Sequence, residues 1–259
     1  MLNGVSERRT FRDRLRAGEV LTAIFSIIPS PTVVEILALA GFDAVIVDME
    51  HGPTSLGDLV PLLMGVEAGG AHAVVRVPEC SEHVIGAVLD MGAEAVLVPQ
   101  VVNAAQARRA VSAARYAPDG TRGVNPWVRA ARYGRRSDWV ARSNEHVAVM
   151  VMIEGSDGLA QLDAILEVPG LDGIFLGPVD MAYSMGVPGQ PDHPRVIEAI
   201  ARAAQKARSL GISVGVFSRD PAGASNWIGK GPTFLAVAED TYAILDAVTA
   251  LRDAIKIPK

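Results

Sequence analysis

Several charged side chains that could do chemistry stand where apolar runs of the sequence end. Asp48 and His51 close the second apolar run, Arg76 closes the third, Glu154 ends the fifth, and Asp180 follows the sixth. Two carboxylates that reach one cation favour a hard divalent ion such as Mg²⁺ or Mn²⁺, because zinc would take more histidine or cysteine ligands. A neutral imidazole beside them could accept a proton near pH 7. These residue types predict metal-assisted proton transfer. The alternatives are structural ion pairs for the acids and the arginine, and a strand cap for the histidine.

These charges need a fold that brings the ends of many strands together. The sequence holds eight short runs rich in Val, Ile, Leu and Ala, and helical patterns separate them. Most runs are nearly continuous in apolar residues, as expected for parallel strands buried on both faces. The eight runs span 21–27, 44–50, 73–77, 95–101, 147–154, 173–176, 212–217 and 234–239.

Eight strand-helix units in 259 residues predict one domain, 1–259, with the α/β fold of a single (β/α)8 TIM barrel. An open Rossmann-type sheet is the alternative. It has less support because no Gly-x-Gly-x-x-Gly follows the first run and no Gly-Lys-Ser/Thr loop occurs, so no nucleotide cofactor is expected. Pro31 and Pro194 are predicted to lie in the first turns of helices, and Gly41 and Gly211 are predicted to follow helix ends. Residues 158–167 are predicted to form one helix.

In a barrel the carboxyl ends of the strands form the mouth, where the chemistry lies. Glu154 and Asp180 end consecutive strands, and neighbouring strands lie about 4.8 Å apart, so both carboxylates could reach one cation. His51 is the histidine that this arrangement points toward the mouth. No Schiff-base lysine is expected, and carbonyl chemistry should depend on a metal acting as Lewis acid. The lysines lie in helical, turn or tail segments, at Lys206, Lys230, Lys256 and Lys259.

Composition and charge exclude several classes of function. The net charge of −5 and a pI near 5.6 offer no field that would attract nucleic acid. No run of about 18 apolar residues occurs, and the arginine-rich first twenty residues do not resemble a secretory signal. We therefore expect no membrane association and a cytoplasmic location. The single cysteine, Cys80, is interpreted as a buried thiol without a chemical role.

Two intervals between strands, 117–145 and 181–193, are too long for a bare connection. Long loops of this kind usually build an active site or a subunit contact. The segment at about 117–145 is therefore predicted to be an active-site or interface insertion. The C-terminal helix is predicted to pack on a neighbouring subunit.

Beyond single residues, an ordered set of motifs resembles the HpcH/HpaI family of class II, metal-dependent pyruvate aldolases. The match covers about residues 20–245. Finding all of these motifs in the same order is far more specific than finding any one of them. The motifs are GFDAVIVDMEHGP, VVRVP, LDMGAEAVLVPQVVNAAQA, RYAPDGTRGV, IEGSDGL and GPVDMAYSMG with a following HP.

The resemblance implies a role for each matching residue. Glu154 and Asp180 would bind a divalent metal ion, Mg²⁺, Mn²⁺ or Co²⁺, that chelates pyruvate, and Arg76 would lie against the keto oxygen. His51 would be the base, acting through a metal-bound water. Asp90 matches an aspartate that, in the family, reaches from one subunit into the active site of the next and orients that histidine. The resemblance therefore implies a homo-oligomer, a trimer or hexamer, whose active sites lie at subunit contacts.

Further positions complete the implied pocket. Asp48 would assist catalysis, and Phe25 would line the pocket. The start of the helix after the sixth strand could hold the substrate carboxylate through backbone N–H groups. This segment comprises Gly177, Pro178, which has no N–H to give, Val179 and Asp180.

The implied activity is that of a carbon-carbon lyase in aromatic or sugar acid catabolism. It would reversibly cleave a 4-hydroxy-2-oxo acid into an aldehyde and pyruvate, or a close analogue such as hydroxypyruvate, through a metal-stabilised enolate. A methyl group beside a ketone is too weak an acid for histidine unless the developing enolate is stabilised, which a cation and Arg76 on the same oxygen provide. Met152 stands where the family commonly has glutamine, and Met181-Ala182 replaces Leu-Ser, so the aldehyde partner and strict pyruvate preference stay open.

Two other functions remain open. A decarboxylase or retro-Claisen lyase of the same barrel type would form the same enolate from oxaloacetate or a related diacid. A non-catalytic binding or assembly barrel would hold its carboxylates and arginines in inert ion pairs. Product analysis separates the first alternative from an aldolase, and the metal affinity of a Glu154→Gln variant separates the second.

Overall fold

The computed structural model describes residues 8–255, which form a closed barrel of eight parallel strands in chain order. The prediction of a TIM barrel is confirmed. Lys256 and Lys259 lie outside the described residues. The strands are β1 Leu21–Ser26, β2 Ala44–Asp48, β3 His72–Arg76, β4 Ala95–Val98, β5 Ala148–Ile153, β6 Gly173–Leu176, β7 Ser213–Ser218 and β8 Phe234–Glu239.

Helices follow the strands and surround the barrel. Among residues 8–255 no helix is long and apolar enough to span a membrane. The helices are α1 Phe11–Arg16, α2 Pro31–Leu39, α3 Leu56–Ala68, α4 Glu82–Asp90, α5 Ala104–Ala114, α6 Trp139–His146, α7 Ser156–Ala160, α8 Leu162–Leu166, α9 Pro178–Ser184, α10 Pro194–Ser209, α11 Pro221–Trp227 and α12 Asp240–Asp253.

The apolar core has two layers, one on each face of the strands. In β2, Val45 and Val47 pack outward against the helices, whereas Ile46 packs inward with the other residues of the barrel interior. Burial on both faces is why the strand sequences are almost continuously apolar. The amino end of the barrel is closed by α1, whose Phe11 ring lies 5.2 Å from that of Phe234, measured between centroids.

Most of the predicted helix ends are correct. Pro31 and Pro194 each begin a helix, and Gly41 and Gly211 follow helices with φ of 97° and 73°, a conformation that glycine adopts without strain. The predicted single helix at 158–167 is wrong, because the chain leaves helical geometry at Gln161 (φ −105°, ψ 10°) and forms α7 and α8. Glutamine is a good helix former, so tertiary packing rather than local propensity sets this break.

The insertion at 117–145 lies between α5 and β5, on the amino-terminal side of the barrel. Arg129 Nη2 lies 2.7 Å from Glu67 Oε2 near the end of α3, and Arg122 Nη2 lies 2.6 Å from Asp90 Oδ1 at the end of α4. Because barrel helices run antiparallel to the strands, these helix ends are remote from the mouth. The insertion therefore does not line the mouth of its own barrel, and a subunit contact stays a prediction for it.

Candidate active site

An arginine-aspartate pair forms the floor of the mouth. Asp48 and Arg76 end β2 and β3 and are direct partners in the strand register. Arg76 donates from Nε to Asp48 Oδ1 over 2.8 Å and from Nη2 to Asp48 Oδ2 over 2.6 Å. Its guanidinium carbon lies 4.9 Å from the centroid of the Phe25 ring, which is buried in the barrel interior. The bidentate pair and the aromatic ring together hold the guanidinium in one orientation.

Asp48 also shapes the turn that follows β2. Its Oδ1 accepts hydrogen bonds from the backbone N–H groups of Glu50, over 2.9 Å, and of His51, over 3.4 Å. Asp48 is fully buried and has both oxygens occupied. Asp48 therefore orients the arginine and the turn that carries His51, and its predicted part in catalysis stays a prediction.

Glu50 and Gln100 extend this network, and neither was a predicted site residue. The Glu50 side chain is 7% exposed and has Oε2 3.2 Å from Arg76 Nη1. Gln100 donates from Nε2 to Glu50 Oε1 over 2.9 Å, and its backbone N–H acts on the Glu154 carboxyl, whose pKa it lowers. Gln100 holds a left-handed backbone, with φ of 54°, that non-glycine residues rarely adopt. Strain of this kind often marks functional sites, and here one residue links two mouth carboxylates.

Glu154 and Asp180 crowd negative charge at the mouth. Glu154 follows β5, and Asp180 lies in the first turn of α9, directly after β6. Burial, then repulsion from Glu50 and Asp180, raises the pKa of Glu154 to about 7, although Arg76 opposes this shift. The Oε1 atom of Glu154 is buried and has no hydrogen-bond partner within the described chain. A half-buried carboxylate that has one buried oxygen without a partner and faces other acids is poorly placed for a purely structural role.

A divalent cation suits this arrangement. The side chains of Glu154 and Asp180 both lie against Gly177, since a Cβ there would stand 3.2 Å from Glu154 Cγ and 3.8 Å from Asp180 Oδ2. Two hard oxygen donors and the partnerless Glu154 oxygen match Mg²⁺ or Mn²⁺, which keep several positions for water or substrate. Residues 8–255 hold no group of three or more His, Cys, Asp or Glu side chains with metal-binding geometry.

His51 stands at the rim of the mouth. Its side chain is 65% exposed, and Nε2 lies 3.9 Å from Glu50 Oε2. Within residues 8–255 the imidazole makes no hydrogen bond, so nothing in the described chain fixes its orientation. The ring is accessible to a substrate or to a second subunit.

Asp90 does not lie near His51 of the same chain. It ends α4, on the amino-terminal side of the barrel, and pairs there with Arg122. The predicted role of Asp90 therefore requires the aspartate of another subunit.

The family model for HpcH/HpaI aldolase/citrate lyase matches residues 21–247. The chain belongs to this family. The 2-keto-3-deoxy-L-rhamnonate aldolase of Escherichia coli O1:K1 / APEC is 38% identical over 239 residues, which cover 92% of this chain and 90% of that protein. The predictions of the family and of an aldolase, an aldehyde-lyase, are confirmed.

Two solved structures are similar to this aldolase in both fold and sequence. A HpcH/HpaI aldolase/citrate lyase family protein from Burkholderia cenocepacia J2315 has a TM-score of 0.89 and 34% identity, over 93% of this chain and 97% of that chain. The citrate synthase SbnG has a TM-score of 0.85 and 29% identity, over 94% of this chain and 96% of that chain.

In this aldolase, β8 adds a carboxylate that the sequence analysis also missed. Glu239 ends β8 and is half-buried at the mouth. Burial and the neighbouring Asp48 raise its pKa, while Arg76 and His51 lower it. The available sequence clue was its position at the end of the eighth apolar run, the same clue that identified Glu154.

The predicted carboxylate-binding turn lies beside the two acids. Gly177 is the N-cap of α9, Pro178 is its first residue, and Val179 is exposed. The predicted contact of this turn with a substrate carboxylate stays a prediction, as does the predicted pocket-lining role of Phe25.

Proposed function

We propose that this aldolase reversibly cleaves a 2-keto-3-deoxy sugar acid, which is a 4-hydroxy-2-oxo acid, into pyruvate and an aldehyde. The observation that carries the proposal is the pair Glu154 and Asp180 beside Arg76, with one buried carboxylate oxygen that has no partner in the described chain. The similarity to a 2-keto-3-deoxy-L-rhamnonate aldolase supports the substrate class.

Glu154 and Asp180 are the residues that would hold the divalent ion, Mg²⁺, Mn²⁺ or Co²⁺. When bound, the ion supplies positive charge to the oxygens of the 2-oxo acid. The pKa of Glu154 near 7 means that this carboxyl can ionise close to neutral pH and become a ligand.

Arg76 stabilises the oxygen on which negative charge develops. Its Nε and one N–H of Nη2 bind Asp48, and Nη1 faces Glu50. A guanidinium has five N–H groups, so donors remain for the keto oxygen of the substrate. Because the guanidinium is already oriented, its reorganisation during the reaction is small, which favours catalysis.

His51 moves the protons. In the cleavage direction an imidazole nitrogen accepts the proton of the 4-hydroxyl group, the C3–C4 bond breaks, and the aldehyde leaves with its new carbonyl group. The electron pair of the broken bond passes to C3 and the keto oxygen, where Arg76 stabilises the charge. The imidazolium then returns a proton to C3, which becomes the methyl group of pyruvate.

We also propose that the enzyme is a trimer or hexamer with shared active sites. Asp90 of one subunit would orient His51 of another. The surface of α12 supports assembly, because Leu245, Val248 and Leu251 are exposed on it and solvent contact with such a face is unfavourable. If sites are shared, mixed oligomers of inactive His51→Ala and Asp90→Asn chains regain activity, whereas an active monomer in light scattering contradicts the proposal.

The test of the activity is cleavage of 2-keto-3-deoxy-L-rhamnonate with and without chelator. We expect stoichiometric pyruvate and aldehyde, loss of turnover with EDTA, and recovery with Mn²⁺. Turnover that resists a chelator, with no residual bound metal, contradicts the proposal.

Oxaloacetate decarboxylation or a retro-Claisen cleavage is the second candidate. The structural similarity to a citrate synthase favours it, because Arg76, Glu154 and Asp180 would stabilise the same enolate. Release of CO₂ from oxaloacetate, with no aldehyde condensation for any donor and acceptor pair, would support this candidate over the aldolase.

A further inference from the structure

The last strand carries an irregularity that changes which way Glu239 points. Between β1 and β8 the register pairs Ala23 with Ala236 and then Phe25 with Glu239. Two residues advance along β1 while three advance along β8, so β8 holds one extra residue, a β-bulge. Without the bulge, Phe25 would face Ala238, and Glu239 would point outward.

The backbone at the bulge is unusual for its residue type. Ala238 has φ of 70°, in the left-handed region that favours glycine, and it packs partly buried against the outer layer of the core. As a result Glu239 shares the face of Phe25, which belongs to the barrel interior. Bulges next to active sites commonly re-aim a side chain, and strained residues persist there because the surrounding structure holds them.

The carboxyl group of Glu239 is close to the groups that handle the substrate. The charges that act on it come from Asp48, Arg76, Asp240 and His51. The Asp240 carboxylate is already engaged, because it accepts from Ser26 Oγ and from two backbone N–H groups after β1. The Glu239 carboxylate makes no hydrogen bond or ion pair within residues 8–255, so its oxygens are available to a ligand.

The acidic and basic side chains at the mouth determine which functional groups of a substrate can bind beside Glu239. Asp48, Glu50, Glu154, Asp180 and Glu239 supply five acidic groups. Arg76, already bound to Asp48, acts on both Glu154 and Glu239, and His51 acts on Glu239. A second arginine, Arg219, follows β7 at the same end of the barrel, and its guanidinium lies over the ring of Tyr242. A divalent ion would offset Glu154 and Asp180, and Arg76 already pairs with Asp48, whereas the Glu239 carboxylate has no partner among residues 8–255. A second carboxylate of the substrate beside Glu239 would meet repulsion from it, whereas hydroxyl groups can donate hydrogen bonds to its oxygens.

We propose that Glu239 is a specificity-determining residue that selects uncharged hydroxyaldehydes over aldehydes that bear a carboxylate. The proposal rests on the proposed aldolase function, in which His51 handles the oxygen of the aldehyde. In that function Glu154 and Asp180, after β5 and β6, would hold the ion that binds the pyruvate part. Glu239 ends β8, which β7 separates from β6, so the proposal assigns Glu239 to the aldehyde part of the substrate. Its carboxylate accepts hydrogen bonds from the aldehyde's hydroxyl groups and repels a second anionic group.

The test measures kcat/KM in the condensation direction, with pyruvate and three acceptors, under saturating Mn²⁺. The acceptors are D-glyceraldehyde, succinic semialdehyde, which carries a carboxylate, and propionaldehyde, which carries neither group. We expect the glyceraldehyde to succinic semialdehyde ratio to fall about tenfold or more in Glu239→Gln, mainly through a lower KM for succinic semialdehyde. We expect the glyceraldehyde to propionaldehyde ratio to fall less, because an amide oxygen still accepts hydrogen bonds.

Two further variants keep the result interpretable. Glu239→Asp retains the charge and should keep most of the discrimination, and it serves if the glutamine variant unfolds. Glu198→Gln removes an equal charge from an exposed site on α10 and should leave both ratios unchanged. A glyceraldehyde to succinic semialdehyde ratio that changes less than about twofold in folded Glu239→Gln overturns the proposal.

A separate measurement distinguishes this failure from failure of the proposed function. Wild-type enzyme with Mn²⁺ and no aldehyde should exchange the methyl protons of pyruvate with solvent deuterium. Absence of exchange and of condensation refutes the aldolase function itself. Exchange and condensation with unaltered acceptor ratios in Glu239→Gln refute only the role of Glu239.

Discussion

The two ends of the barrel treat a buried acid in opposite ways. At the amino end Asp172 is buried and accepts from Arg12 Nε over 2.6 Å, from Arg115 Nη2 over 2.9 Å and from the backbone N–H of Val149 over 3.0 Å. At the mouth Glu154 has a buried oxygen without a partner in the described chain, and other acids surround it.

The two ends of the barrel also differ in the sign of their excess charge, which is positive around Asp172 and negative around Glu154. Burial, and then repulsion from Arg12, lowers the pKa of Arg115 to about 10, because three arginines share Asp172. At the mouth, burial and the neighbouring acids raise the pKa of the Glu154 carboxyl to about 7. An acid with every oxygen satisfied stabilises the fold, whereas an acid left unsatisfied among like charges is available to a cation.

The histidines follow the same division. At the amino end His72 is buried, with Nδ1 2.8 Å from Glu94 Oε2. At the mouth His51 is exposed and makes no hydrogen bond within residues 8–255. We therefore expect substitutions at the mouth to reduce activity, and substitutions in the buried ion pairs of Asp172 and His72 to reduce stability.

The largest effect is expected for His51→Ala. Loss of the base should slow exchange of the pyruvate methyl protons by about 10²- to 10⁴-fold, while Mn²⁺ binding and the melting temperature stay unchanged. Exchange followed by NMR in deuterated buffer measures this effect. The matched control is His193→Asn, which keeps a side-chain acceptor at the N-cap of α10. Wild-type exchange in His51→Ala would remove this histidine as the base.

The converse effect is expected for Asp172→Asn. The change leaves Arg12 and Arg115 buried without their anion, so the free energy of unfolding should fall by about 3 kcal/mol or more. Urea denaturation measures it, and kcat of the folded fraction should be unchanged. A variant of normal stability and reduced kcat would break the division between the two ends.

A smaller effect is expected from pH. The carboxyl of Glu154, with a pKa of about 7, is protonated below that pH, and a cation must displace the proton. The affinity for Mn²⁺ should therefore fall as pH drops below 7, by up to about tenfold per pH unit. Titrations followed by electron paramagnetic resonance between pH 7.5 and 5.5 measure this change, with melting curves to show that the protein stays folded. A constant affinity over this range is inconsistent with the raised pKa.

The sequence was sufficient for the barrel and for most of the charged residues at the strand ends. Eight continuous apolar runs predict strands buried on both faces, and a charge that directly follows such a run must lie at the mouth, as Asp48, Arg76 and Glu154 do. Whether Asp90 acts in a shared site depends on contacts between subunits, which the pattern of one chain does not contain.

Glu50 and Glu239 could have been predicted from their places at the ends of apolar runs, but the inward direction of Glu239 and the role of Gln100 depend on backbone geometry that residue types do not reveal. Gln100, which donates to Glu50, has a left-handed backbone, and Glu239 turns inward because of a bulge at Ala238. Alanine and glutamine carry no local preference for these conformations, so only the packed barrel reveals them.

Metal binding by Glu154→Gln tests the central claim most directly. Wild-type protein should bind one Mn²⁺ per chain in calorimetric titration at pH 7.5, and the variant should bind it at least about 100-fold more weakly. Asp157→Asn, an equal loss of charge at an exposed position on α7, should bind like wild type. Equal Mn²⁺ affinity in wild type and Glu154→Gln would contradict the claim that this unsatisfied carboxylate is a metal ligand.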